Sequence, residues 1–186
     1  HTDHIKTRMA ELFGAHMQFD VIIGNPPYQL TDGGYGSSAA PIYQLFVEKA
    51  LELDPHYAVF VTPSRWMAGG KGLGGVRGKM LSDKHLGSIV DFPKLYEGLP
   101  GVKMLGGGSY FLWDRQHSGP CSVQTMWDGQ PTGPAVVRHL DAYDILVRRN
   151  EAVPILEKVL TKDKATLSNR VSSQKPFGLR TFFHGK

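Results

Sequence analysis

The sequence predicts an α/β fold built on a mostly parallel sheet. Short apolar runs stop abruptly at glycine or proline, the pattern of strands buried on both faces. Over the first hundred residues strand and helix signals alternate, which is the order of parallel crossover units. After that the helical signals lapse and two strand-like runs follow each other, predicting an antiparallel hairpin at the end of the sheet.

The elements follow in order. Phe19–Gly24 is the first buried-type strand, closed by Asn25-Pro26-Pro27. Ser38 is placed to cap a helix with Pro41 in its first turn, and Ile42, Leu45, Phe46, Ala50 and Leu53 recur at the spacing of one helix face. Asp54-Pro55 ends it, and Tyr57–Thr62 reads as a second strand, stopped by Pro63. A glycine-rich stretch and a short helix around 76–84 lead to a third strand, Ser88–Phe92. Ser109–Trp113 and Cys121–Trp127 are the hairpin strands, with Asp114–Pro120 as their loop. From Asp141 the chain is expected to turn helical through Tyr143, Leu146 and Val147, and Pro154 to open a second helix carrying Ile155, Leu156 and Leu160. No internal repeat is present, and beyond about residue 166 no period emerges.

Composition bounds the function. At 186 residues, 41% hydrophobic and 20% charged, the chain is an ordinary globular sequence and not a disordered one. Its one cysteine, Cys121, forms no internal disulfide and supports no thiolate metal cluster. No apolar run reaches the roughly 18 residues of a membrane span. A soluble, cytoplasmic protein with no membrane partner is the expectation. His1, Asp3, His4 and His16 match no metal-ligand spacing. Charge is uneven: residues 1–144 hold 12 Lys/Arg and 14 Asp/Glu, whereas 145–186 hold 9 and 3. Glycine shifts the other way, with 20 of 22 before residue 134. A boundary is therefore placed at 140/141, between a body (1–140) and a basic helical segment (141–186) with affinity for a polyanion.

Ligands of an open parallel sheet bind at the carboxyl ends of its strands. Two such ends carry chemistry. After the first comes Asn25-Pro26-Pro27-Tyr28. The paired prolines fix φ near −65° and offer carbonyls without N–H donors. The Asn25 side-chain carbonyl and the Pro26 backbone carbonyl can converge on one amino group, beside a flat Tyr28 ring for stacking. That describes a pocket for an aromatic amine such as adenine N6. After the second strand comes Thr62-Pro63-Ser64-Arg65-Trp66, where Arg65 suits a phosphate and Trp66 offers a second ring, although burial is the commoner fate of Trp. Six glycines within 69–78 imitate a dinucleotide fingerprint but start seven residues after the strand, so they read as a loop near substrate, with Lys71, Arg77 and Lys79 placed for phosphates.

With these residues in view, Phe19–Tyr28 resembles motif IV of amino-methylating, S-adenosylmethionine-dependent methyltransferases. The wider text, Asn-Pro-Pro-Tyr-Gln, then Pro-Ile-Tyr, then Thr-Pro-Ser-Arg-Trp-Met-Ala-Gly-Gly-Lys-Gly-Leu and Gly-Gly-Gly-Ser-Tyr-Phe-Leu-Trp-Asp-Arg, resembles adenine-N6 DNA methylases of type II restriction–modification systems over about residues 19–127. The resemblance implies a Rossmann-like class I methyltransferase sheet, S-adenosylmethionine as cofactor, duplex DNA as partner, and an endonuclease domain or subunit of the same system. It implies catalytic Asn25, Pro26 and Tyr28, with Asp3 and Asn25 toward the cofactor, while the strand-end positions place Pro27, Arg65 and Trp66 toward the substrate. The family's cofactor-binding turn precedes motif IV, and only 18 residues precede Phe19, so the chain is expected to be a catalytic fragment, inactive alone. Residues after 141 would then begin a target-recognition region. Two alternatives stay open: a protein glutamine-N5 or other amino methyltransferase with the same pocket, and a non-catalytic nucleic-acid-binding module.

Overall fold

The computed structural model of the chain describes residues 2–14, 18–29, 40–70, 72–94 and 106–162. Its helices are α1 (Thr2–Phe13), α2 (Tyr43–Leu51), α3 (Gly74–Ser82) and α4 (Val153–Lys162). Its strands are β1 (Val21–Gly24), β2 (Tyr57–Pro63), β3 (Leu86–Phe92), β4 (Gly108–Asp114), β5 (Cys121–Trp127), β6 (Gln130–Pro131) and β7 (Val136–Arg138). A 3-10 turn, Ser64–Met67, continues directly from β2.

All seven strands form one sheet in the order β1-β2-β4-β3-β5-β6, with β7 also on β5. β1 pairs parallel to β2 and β3 parallel to β5, while β4 runs antiparallel between β2 and β3. Four strands therefore share a direction, and their carboxyl ends, Gly24, Pro63, Phe92 and Trp127, lie along one edge. The α/β class agrees with the sequence, but the sheet is mixed and not mostly parallel, with two parallel and four antiparallel pairings among the described residues, and the expected hairpin does not form. β4 and β5 never pair with each other. The physical reason is burial: Phe111 and Trp113 of β4 are 1% and 7% exposed, which a central strand provides and an outer hairpin would not. Phe111 stacks on Phe60 of β2 with ring centroids 6.0 Å apart. The antiparallel hairpin at the end of the sheet is β5–β6, turned by Asp128 (φ 50°) and Gly129 (φ 72°), the paired positive φ of a two-residue hairpin turn.

Three further expectations are corrected. β1 is not buried on both faces: Val21 and Ile23 are 49% and 77% exposed, because β1 is the edge strand among the described residues. α2 begins at Tyr43, after Pro41, and buries Tyr43, Val47 and Ala50 at spacings of four and three. Leu45 and Phe46, expected on the buried face, point to solvent. Residues 141–149 are not helical, since Leu146 and Val147 are drawn into the core and the Leu146 N–H donates to the Met67 carbonyl at 2.7 Å. The first compact unit runs through Asn150, and a second begins at Glu151. Within the second unit α4 has Pro154 in its first turn, as expected. Ser38, His16, Lys71 and the tail beyond 162 lie outside the described residues.

Candidate active site

The Asn25–Tyr28 loop leaves β1 at the carboxyl edge. It can do so tightly because Gly24 lacks a side chain: a Cβ there would collide with the Phe60 ring. Pro26 is buried, Asn25 and Pro27 are exposed, and Tyr28 is half-buried against the core cluster. The loop is anchored to the start of α2. The Ile42 N–H donates to the Tyr28 carbonyl at 3.2 Å, and Gln29 bridges to Pro41.

Within the loop the Tyr28 hydroxyl donates to Asn25 Oδ1 at 2.7 Å. The carboxamide oxygen has two acceptor sites, so this bond fills one and leaves a second. Burial raises the Tyr28 phenol above its usual value, and the bond to Asn25 acts against that rise. The hydroxyl is thus a protonated donor at neutral pH. Sequence reasoning gave Tyr28 a ring face alone and missed this bond, though the i, i+3 spacing permits it.

The second strand end divides the two residues nominated there. Arg65 is exposed on the 3-10 turn. Trp66 is 2% exposed and packs in the core, so it offers no ring face to a base; the usual fate of tryptophan prevails. Of the glycines after it, Gly70 packs closely, whereas a Cβ at Gly69, Gly72, Gly75 or Gly78 would meet nothing. A Cβ at Gly70 would sit 2.6 Å from the Leu73 side chain, so the chain at this glycine packs onto its own Leu73. Arg77 donates to the Asp144 carbonyl at 3.0 Å, and Lys79 pairs with Glu48 at 2.7 Å.

The largest feature that sequence reasoning missed is a buried charge cluster on the same edge. Asp91, at the end of β3, is 0% exposed. Arg148 donates to both its oxygens, Nε to Oδ2 at 2.6 Å and Nη2 to Oδ1 at 2.7 Å. Ser64 Oγ donates to Oδ1 at 2.7 Å, and Arg148 Nη1 to the Gly106 carbonyl at 2.8 Å. The cluster binds the ends of β2 and β3 and the approach to β4 into one unit. The two charged partners are 57 residues apart, and no local pattern links them.

Arg149, next in the chain, is exposed and lies over the Trp127 ring, 4.9 Å from its centroid; Lys94 Nζ lies 4.3 Å from the same centroid. Asp3 falls on α1, and its side chain is outside the described part.

The model of the Eco57I restriction-modification methylase family matches residues 2–97. An uncharacterized adenine-specific methylase of Mycoplasma pneumoniae is 30% identical over 160 residues, which is 84% of this chain and 38% of that protein. Among solved structures, the type IIG restriction endonuclease BpuSI aligns at 17% identity and a TM-score of 0.49, over 77% of this chain and 22% of its own. The methyltransferase subunit of a type I restriction-modification system from Streptococcus thermophilus aligns at 11% identity and a TM-score of 0.43, over 78% of this chain and 32% of its own. The chain thus spans well under half the length of each.

Proposed function

The chain belongs to the Eco57I restriction-modification methylase family, and we propose that it is the substrate-holding part of an enzyme that methylates adenine N6 in duplex DNA, working in the cytoplasm beside an endonuclease of the same system. The observation that carries this reading is the Asn25–Tyr28 pair: an exposed carboxamide with one acceptor site open, set beside an aromatic ring on a proline-stiffened loop at the carboxyl edge.

The residues divide the work as follows. The target adenine leaves the duplex and stacks on Tyr28. Extrusion costs a few kcal/mol, and stacking on an aromatic returns about 1–3 kcal/mol. Asn25 Oδ1 and the Pro26 carbonyl accept the two N6–H bonds, which turns the nitrogen lone pair toward the methyl donor. Pro27 and Arg65 border the substrate, Arg65 as a phosphate contact. S-adenosylmethionine supplies an electrophilic methyl group when bound. Of the residues named toward it, Asn25 is exposed at the carboxyl edge. Residues 25–28 therefore form the acceptor side of the pocket.

The test is transfer of labelled methyl by the full-length protein. Label in duplex DNA, recovered as N6-methyladenine, supports the reading. Label in a glutamine-containing peptide and none in DNA would replace it with the protein methyltransferase, and DNA binding without any transfer would replace it with the non-catalytic module.

A further inference from the structure

We infer that Trp127 and Arg149 form a second DNA contact, a backbone-phosphate site at the far end of the edge that carries Asn25. The inference rests on the DNA methyltransferase reading above and assigns residues that the pocket does not use.

Arg148 and Arg149 look equivalent in sequence, but the structure separates them. Arg148 is consumed internally by Asp91 and the Gly106 carbonyl. Arg149 is exposed, and its guanidinium rests on the Trp127 ring at 4.9 Å. An aromatic under a guanidinium holds the side chain extended while leaving its N–H edge to solvent, a geometry matched to a phosphate. Lys94 flanks the same ring at 4.3 Å and is paired with the Asp128 carboxylate at 2.7 Å, so Arg149 contributes the net positive charge of the patch.

The position fits a nucleic-acid track. Trp127 ends β5 and Lys94 follows the end of β3, both on the edge where Asn25 follows β1. Four strand spacings of about 4.8 Å put β1 roughly 19 Å from β5. At about 3.4 Å of duplex axis per base pair, that is the length of a short recognition site. A duplex whose adenine sits on Tyr28 thus has backbone within reach of Arg149, with exposed Arg65 between them.

The experiment is fluorescence-anisotropy titration of the full-length protein with a labelled mixed-sequence duplex at several salt concentrations, alongside methyl transfer. Arg149→Ala should lower the log–log salt slope by about 0.9, the loss of one phosphate contact. Arg149→Lys should keep the slope. Trp127→Leu should also keep it, since no charge is removed, but weaken binding several-fold. Because Arg149 is exposed, its substitutions should leave the unfolding midpoint unchanged, which separates a lost contact from a lost fold. An Arg149→Ala slope equal to that of the wild type, with transfer to DNA intact, would overturn this site and leave the methyltransferase reading standing. No transfer and no salt-dependent DNA binding by the wild type would remove both.

Discussion

Arg148 clamps the fully buried carboxylate of Asp91 through two nitrogens, at 2.6 and 2.7 Å, across 57 residues of sequence. Ser64 completes the arrangement with a third bond at 2.7 Å. Taking such a carboxylate out of water costs several kcal/mol unless it is paired and hydrogen-bonded. The clamp therefore ties the end of β3 to the residue that follows β2 at the carboxyl edge.

Arg148→Ala should accordingly be a stability variant. Removing one partner of a buried pair leaves an uncompensated charge, worth about 3–5 kcal/mol. Urea unfolding of the full-length protein should show a loss of that size, while the salt slope for DNA binding, measured where the variant is folded, should match the wild type. A loss under 1 kcal/mol together with a flattened slope would return Arg148 to the DNA surface.

Cys121 yields an alkaline prediction. Burial pushes its thiol up to about 12, with Arg138 opposing the shift, against 9.0 for a free thiol. A folded value above the unfolded one adds stability that is complete below pH 9 and is lost as pH rises toward 12. Stability should therefore decline between pH 9 and 12, and less steeply in Cys121→Ala. The native thiol should also resist alkylation at pH 8 and react on unfolding; fast native labelling would contradict its burial.

What the sequence disclosed was local. Strand ends at Gly24, Pro63 and Phe92 are marked by breakers or by an abrupt change of pattern, and Asn25-Pro26-Pro27-Tyr28 is contiguous, so its chemistry could be read directly. What escaped depends on distant pairing. Nothing near residues 108–114 says that this strand enters between β2 and β3. The helix of Leu146 and Val147 was lost to core contacts formed with the far side of the chain, including the Met67 carbonyl. The hairpin was a different kind of miss, because Asp128-Gly129 is the strongest short-range turn signal and lies in plain view. For α2 the period was right and the phase was wrong, because Tyr43 takes the buried stripe and leaves Leu45 and Phe46 outside.

Asn25→Ala tests the pocket in the full-length enzyme. It removes one of the two acceptors proposed for the methylated amine, and comparable preorganised contacts are worth about 2.7–4 kcal/mol. Methyl transfer should fall by roughly 10²–10³-fold, whereas DNA affinity, which is set mainly by phosphate contacts, should barely move. Asn25 is exposed, so the fold should persist. Full activity in Asn25→Ala would end the pocket assignment.

Tyr28 separates ring from hydroxyl. Tyr28→Ala removes the stacking face and should lose activity on the scale of Asn25→Ala. It should be partly rescued by a mismatch opposite the target adenine, because such a base is cheaper to extrude. Tyr28→Phe keeps the face and loses only the bond to Asn25 Oδ1. A single neutral hydrogen bond is worth about 0.5–1.5 kcal/mol, so transfer should drop roughly two- to tenfold. The loss should fall on kcat and not on KM, since the hydroxyl aligns the carboxamide and does not hold the base. Burial keeps the phenol protonated past its usual pH of 10, so wild-type transfer should not weaken through loss of that proton below pH 10. If Tyr28→Phe proved as inactive as Tyr28→Ala, the hydroxyl would be the working group and stacking a secondary one. If the mismatch failed to rescue Tyr28→Ala, the ring would not be supporting an extruded base at all.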